Sequence, residues 1–157
     1  MKRYWLLKSE PSGFSIDDLK AEPNRTAHWD GVRNYQARNY LRDEITKGDE
    51  VFFYHSKVDP PRVVGSCVVT RAGYPDHTAF DPRDKHHDPK SDPTNPRWFM
   101  VDIKLKKIFK NPVDLATLKT TPGLEKMVLT QKGSRLSVQP VTENEWRIVH
   151  ALAGEKT

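Results

Sequence analysis

At 157 residues, with 36% apolar and 30% charged side chains and a formal net charge of +5, the chain is long enough to bury a core and reads as a single domain over residues 1–157. Its one cysteine, Cys67, excludes an internal disulfide, and no apolar run is long enough for a signal-peptide core or a bilayer span, so a cytoplasmic protein is expected, nuclear in a eukaryotic source, with no membrane partner. The basic residues are scattered rather than gathered in one run, which leaves attraction to nucleic acid open without establishing it.

Tyr4 to Leu7 is a short apolar run ending at Ser9-Glu10-Pro11 and reads as a buried strand. Ser15 with Asp18 forms a capping-box pattern, and Phe14 with Leu19 occupies the staple positions, which predicts a short helix ending near Pro23. From Val32 through Tyr35, Ala37, Leu41 and Ile45 the apolar spacing is three to four residues, predicting a helix of about three turns after Trp29-Asp30-Gly31. Lys47-Gly48-Asp49 ends it and leads into a strand from Glu50 to His55, whose antiparallel partner is Arg62 to Val69.

The Asp-, Pro- and His-rich segment from Arg71 to Pro96 has no periodicity and reads as a long surface loop. Trp98 to Ile108 returns to strand character with one apolar face. Leu115, Leu118, Leu124, Met127 and Val128 suggest one or two short helices broken by Pro122-Gly123, and Arg135 to Val141 a last strand. Thr142 with Glu145 is a second capping box, opening a terminal helix that buries Trp146 and Val149. Neighbouring strands look hairpin-connected, without the strand and crossover-helix alternation of a parallel sheet; the expected class is α+β, a small curved sheet or barrel flanked by helices.

The densest chemistry lies in Trp29-Asp30-Gly31-Val32-Arg33-Asn34. An indole, a Gly turn and amide and guanidinium side chains precede a helix start, where stacking surface and unpaired backbone donors coincide. Trp29 suits a stacked base, the alternative being a core tryptophan whose polar flanks argue against it. Asn34 suits a base edge or, more plainly, a helix cap; Arg33 and Arg38 suit phosphate. Lys8-Ser9-Glu10 and Tyr54-His55-Ser56 sit at strand ends facing a cleft, although a lone histidine there is more often structural. The Asp76 to Asp88 segment matches no zinc spacing, and there is no phosphate loop, nucleophile elbow or paired-Cys motif, so neither metal nor cofactor is expected.

Tyr4-Trp5-Leu6-Leu7-Lys8-Ser9-Glu10-Pro11, the stretch from Trp29 to Asn39, Tyr54-His55-Ser56, Tyr74-Pro75-Asp76, Pro96-Arg97-Trp98 and Leu136 to Val141 closely resemble the EVE domain family, in order and at compatible spacing from about Lys2 to Val149. The resemblance implies a PUA-like fold, a small mixed or antiparallel β-barrel with surrounding helices. EVE domains are in turn similar to YTH domains, readers of methylated adenine in RNA. This implies a reader of a modified nucleobase, cytosine or adenine, in DNA or RNA, flipped against Trp29 while Ser9, Asn34 and backbone groups read its edge. The second cage tryptophan of YTH domains has no match, and Tyr74, Pro75, Asp76 and Phe80 are the residues that would close that side. The rival is a nucleic-acid-processing enzyme with Glu10, His55 and Asp76 as acid–base groups, since fold alone does not decide. A third reading is a protein-interaction module without nucleic-acid affinity. Oligomeric state stays open.

Overall fold

The computed structural model describes residues 2–157. Six strands, β1 (Tyr4–Ser9), β2 (Thr26–His28), β3 (Glu50–His55), β4 (Arg62–Pro75), β5 (Phe99–Asp114) and β6 (Val138–Val141), form one sheet in the order β2-β5-β4-β3-β1-β6. Four α-helices, α1 (Ile16–Ala21), α2 (Tyr35–Asn39), α3 (Leu115–Thr120) and α4 (Glu143–Leu152), cover it. The class is α+β as expected, but the sheet is mixed and open. β1 runs parallel to β3, from Tyr4↔Glu50 to Ser9↔His55, so the connection through α1, β2 and α2 is a crossover and not the hairpin anticipated. β2 and β6 are the two margins, and they do not pair to close a barrel.

Strand alternation sorts the side chains into two cores. Trp5, Leu7, Val51, Phe53 and Cys67 face one side and pack against Ile16 and Leu19 of α1 and Ala37 of α2. Leu6, Phe52 and Tyr54 face the other, against Leu118 of α3 and Trp146 and Val149 of α4. Every residue of β3 is buried, as befits a central strand covered on both faces. Both capping boxes form: Ser15 with Asp18 opens α1, and Thr142 with Glu145 opens α4. Burial pushes the Cys67 thiol up, leaving it an inert core group.

Several expected boundaries shift. α2 begins at Tyr35 because Asn34 caps it, which leaves Val32 and Arg33 outside the helix; after Asn39 it continues as a π-turn, Tyr40–Glu44, closed by Ile45 N–H donating to the Tyr40 carbonyl at 2.9 Å. β4 and β5 run well past Val69 and Ile108, to Pro75 and Asp114, bending through irregular register, so the expected loop is ordered strand as far as Pro75 and a 3-10 turn over His77–Phe80. Gly73 makes that bend fit, since a Cβ there would meet the Leu41 carbonyl at 2.2 Å. The last strand is shorter than expected, beginning at Val138.

Candidate nucleobase cleft

β2, which the sequence did not announce, delivers the tryptophan. Its residues pair with β5 as Thr26↔Lys104, Ala27↔Ile103 and His28↔Asp102, and Trp29 N–H extends the ladder to the Val101 carbonyl at 2.7 Å. Hydrogen-bonded pairs alternate in an antiparallel ladder, so the peptide N–H and C=O of His28 point away from β5, toward the open margin. Trp29 is only 7% exposed: its indole meets Phe53 edge-to-face at 5.4 Å and Phe14 at 6.3 Å. It is a core residue and a cleft wall at once.

Beyond it the chain turns at Gly31, whose φ of +79° a side chain would strain and where a Cβ would lie 2.5 Å from Cε1 of His86. Gly31 N–H donates to Asp76 Oδ2 at 2.8 Å, and Arg33 Nη1 donates to the same oxygen at 3.0 Å. Thr78 N–H and Oγ donate to Asp76 Oδ1 at 2.9 and 2.5 Å. Burial would raise the Asp76 carboxyl, but these donors outweigh it and hold the group below the usual carboxylate range. The other Arg33 nitrogens donate to the His86 carbonyl, at 3.1 Å from Nε and 2.6 Å from Nη2. Arg33 and Asp76 thus clamp the His86 segment over the Gly31 turn.

Between these walls lies a cleft of about 1080 Å³. Trp29 and Phe14 give it apolar surface; Thr26, Ala27 and His28 come from one sheet margin, while Lys8 and Ser9 of β1 and Ser137, just ahead of β6, come from the other. The cleft therefore occupies the place where strands would meet in a closed barrel. Tyr74 donates its hydroxyl to Asp102 on the wall, and burial followed by that carboxylate raises the phenol. In charge the cleft is not basic: Lys8, Arg33, Arg83 and Lys85 stand against Glu10, Glu22, Asp30, Asp84 and Asp102.

Of the residues singled out from sequence, Lys8, Ser9, Glu10, Trp29, Gly31, Val32, Arg33 and Tyr74 line this cleft. Ser9 Oγ donates to the Phe14 carbonyl at 2.5 Å, and Glu10 pairs with Lys57 at 2.9 Å on the surface. The others lie outside it. Asn34 Oδ1 accepts from Ala37 N–H at 3.0 Å, the plain capping role. His55 Nε2 accepts from Ile16 N–H at 3.1 Å, and burial with the nearby Arg62 lowers its pKa against the pull of Asp17. Ser56 N–H donates to the Ser9 carbonyl at 2.9 Å, Tyr54 belongs to the second core, Pro75 ends β4, and Phe80 closes the short turn after Asp76. Arg38 donates to the Arg97 carbonyl at 2.7 Å and stacks on Tyr35. Glu10, His55 and Asp76 do not share one cleft, so the acid–base trio is not assembled. Sequence reasoning passed over Phe14, His28, Lys85, His86 and Asp102; only His28, beside Trp29, carried a local signal.

The family model of the EVE domain matches residues 3–152. Human thymocyte nuclear protein 1 is 43% identical over 169 residues, spanning 97% of this chain and 74% of that protein. A crystal structure of the human THYN1 protein in complex with 5-methylcytosine-containing DNA superposes with a TM-score of 0.90 at 42% identity, covering 99% of this chain and 100% of that one. The crystal structure of a Pseudomonas syringae protein does so with a TM-score of 0.89 at 49% identity, covering 96% and 99%. The PUA-like α+β architecture is therefore shared, and the chain belongs to the EVE domain family.

Proposed function

We propose that this protein is a reader of modified DNA that takes a methylated cytosine, extruded from its stack, into the cleft between the two sheet margins. The observation that carries the reading is the indole-walled cleft in a chain that superposes over nearly its whole length on a relative solved with 5-methylcytosine-containing DNA. A duplex base reaches such a recess only by leaving the helix, at a cost of a few kcal/mol. Trp29 and Phe14 offer the extruded base apolar surface, and the His28 peptide offers it a donor and an acceptor.

Selectivity follows from two unequal terms. Burying one methyl group gains roughly 0.8 kcal/mol, about fourfold in affinity. A wrong base edge that leaves a buried polar group unpaired loses about 1–3 kcal/mol. Base identity is therefore read more strictly than methylation. Binding in this reading is stoichiometric and involves no chemistry on the base, and the protein resides with the nucleic acid it reads, in the bacterial cytoplasm or the eukaryotic nucleus.

The test is a binding panel of short oligonucleotides, DNA and RNA, each carrying one modified cytosine or adenine or none, read by fluorescence anisotropy against wild type and Trp29→Phe. Preference for a methylated cytosine strand, reduced in the variant, is the expected result. Equal affinity for modified and plain strands in both proteins would refute the reading.

A further inference from the structure

A second cleft, of about 610 Å³, opens where the ends of β1 and β3 meet α3 and the segment after Leu129. Its charge is one-sided: Lys8, Lys119 and Lys132 line it, and no carboxylate does. Tyr54, only 3% exposed, lies at its base with a hydroxyl that no protein group meets among the described residues and that is not sealed from solvent. Burial pushes that phenol up to about 12, so it stays a donor at any physiological pH. Lys8 sits beside it in register, and among the described residues its one protein acceptor is the Ser134 carbonyl at 3.4 Å, a weak bond for a partly buried ammonium.

A hydroxyl donor at the tip of a buried ring, an under-bonded ammonium and two further lysines with nothing negative among them describe an anion site. The base cleft is lined by more carboxylates than cations, so it contributes little of the attraction that a polyanionic backbone needs. Lys8 belongs to both clefts. We infer that the second cleft is a phosphate subsite, seating a phosphodiester of the nucleic acid whose base occupies the first, with Lys8 joining the two. This rests on the base-reading function proposed above. Alternation along β1 makes the division of labour: Ser9 turns toward the face of the first core and Lys8 toward that of the second.

Two measurements on the full chain test it. In the first, inorganic phosphate is titrated while amide and tyrosine ring resonances are followed; shifts at Tyr54 and from Lys132 to Ser134, reduced in Tyr54→Phe and in Lys119→Ala/Lys132→Ala, are expected, and their absence overturns the subsite. In the second, affinity for methylated and plain oligonucleotides is measured against salt. The slope of log affinity on log salt falls by about 1 for each phosphate no longer neutralised, so the double lysine variant, which unseats one phosphodiester, should lose about 1 and weaken both strands alike. An unchanged slope, with phosphate still bound, would assign the cleft to a free phosphorylated molecule and overturn its nucleic-acid role. Failure of the base reading has a different signature: wild type and Trp29→Phe bind all strands equally, while the lysine variant still loses slope. Both lysines are exposed, so the double variant keeps the fold.

Discussion

Arg33 Nη1 lies 3.0 Å from Oδ2 of Asp76, and the carboxylate is wholly shielded from solvent. The pair fastens the segment carrying His86 to the turn after Trp29, so the shape of the cleft depends on this ion pair.

Asp76→Asn should destabilise the protein by about 3 kcal/mol, since removing one partner strands the other's charge. Chemical denaturation checks this. Asp76 also sets a pH dependence: its folded value is lowered, so its contribution is present above the ordinary carboxylate range and is lost as pH falls through the depressed value. The acid limb of stability should flatten in the variant.

Gly31→Ala should cost at least about 1 kcal/mol from its left-handed backbone alone and displace the His86 ring, narrowing the cleft. The double variant Gly31→Ala/His86→Ala separates the two effects. It relieves the collision and restores oligonucleotide affinity, while the melting temperature stays below wild type by the backbone share.

Trp29→Ala should lower stability by about 3–5 kcal/mol, because the indole fills the first core as well as the cleft wall. Trp29→Phe preserves most of that packing and is the variant whose binding defect reports on recognition. A melting curve that fell equally for both would contradict the dual placement.

His55 is held neutral, accepting the Ile16 N–H, with burial and then Arg62 lowering its pKa. A histidine with a depressed folded value contributes fully above its ordinary value of 6.5, and that contribution fades as pH falls from there toward the folded value. Protonation removes the acceptor at the start of α1, next to Phe14 on the cleft wall. Unfolding free energy measured from neutral to mildly acidic pH should therefore fall in the wild type, and His55→Gln should reduce that fall. His150, lowered by burial against its bond to Trp146, leaves a residual slope in the variant.

What could be read in advance was local. The capping boxes at Ser15 and Thr142 name their own partners three residues on, and the apolar alternation of β1 and β5 shows which residues face a core. Parallel pairing of β1 with β3 leaves no turn signature, because the two strands are joined through forty residues of other structure. β2 is three residues long and owes its existence to the ladder with β5, a partner more than seventy residues away. About a third of the cleft lining followed from motif adjacency around Trp29 and Ser9; the walls from Lys85 and His86 became visible only through the Arg33 clamp, a contact between segments with no common periodicity. The same distance hid the role of Tyr54, whose hydroxyl belongs to the other face of the sheet.

A sheet left unsewn along one seam has a lasting effect on how its selectivity can drift. The donor and acceptor exposed by the His28 peptide are main-chain atoms, and substitution of side chains cannot erase or recolour them. Divergent copies of this domain are then constrained to keep one polar outline and to explore new targets by recontouring what surrounds it: the ring at position 14, the Tyr74–Asp102 couple and the segment carrying His86.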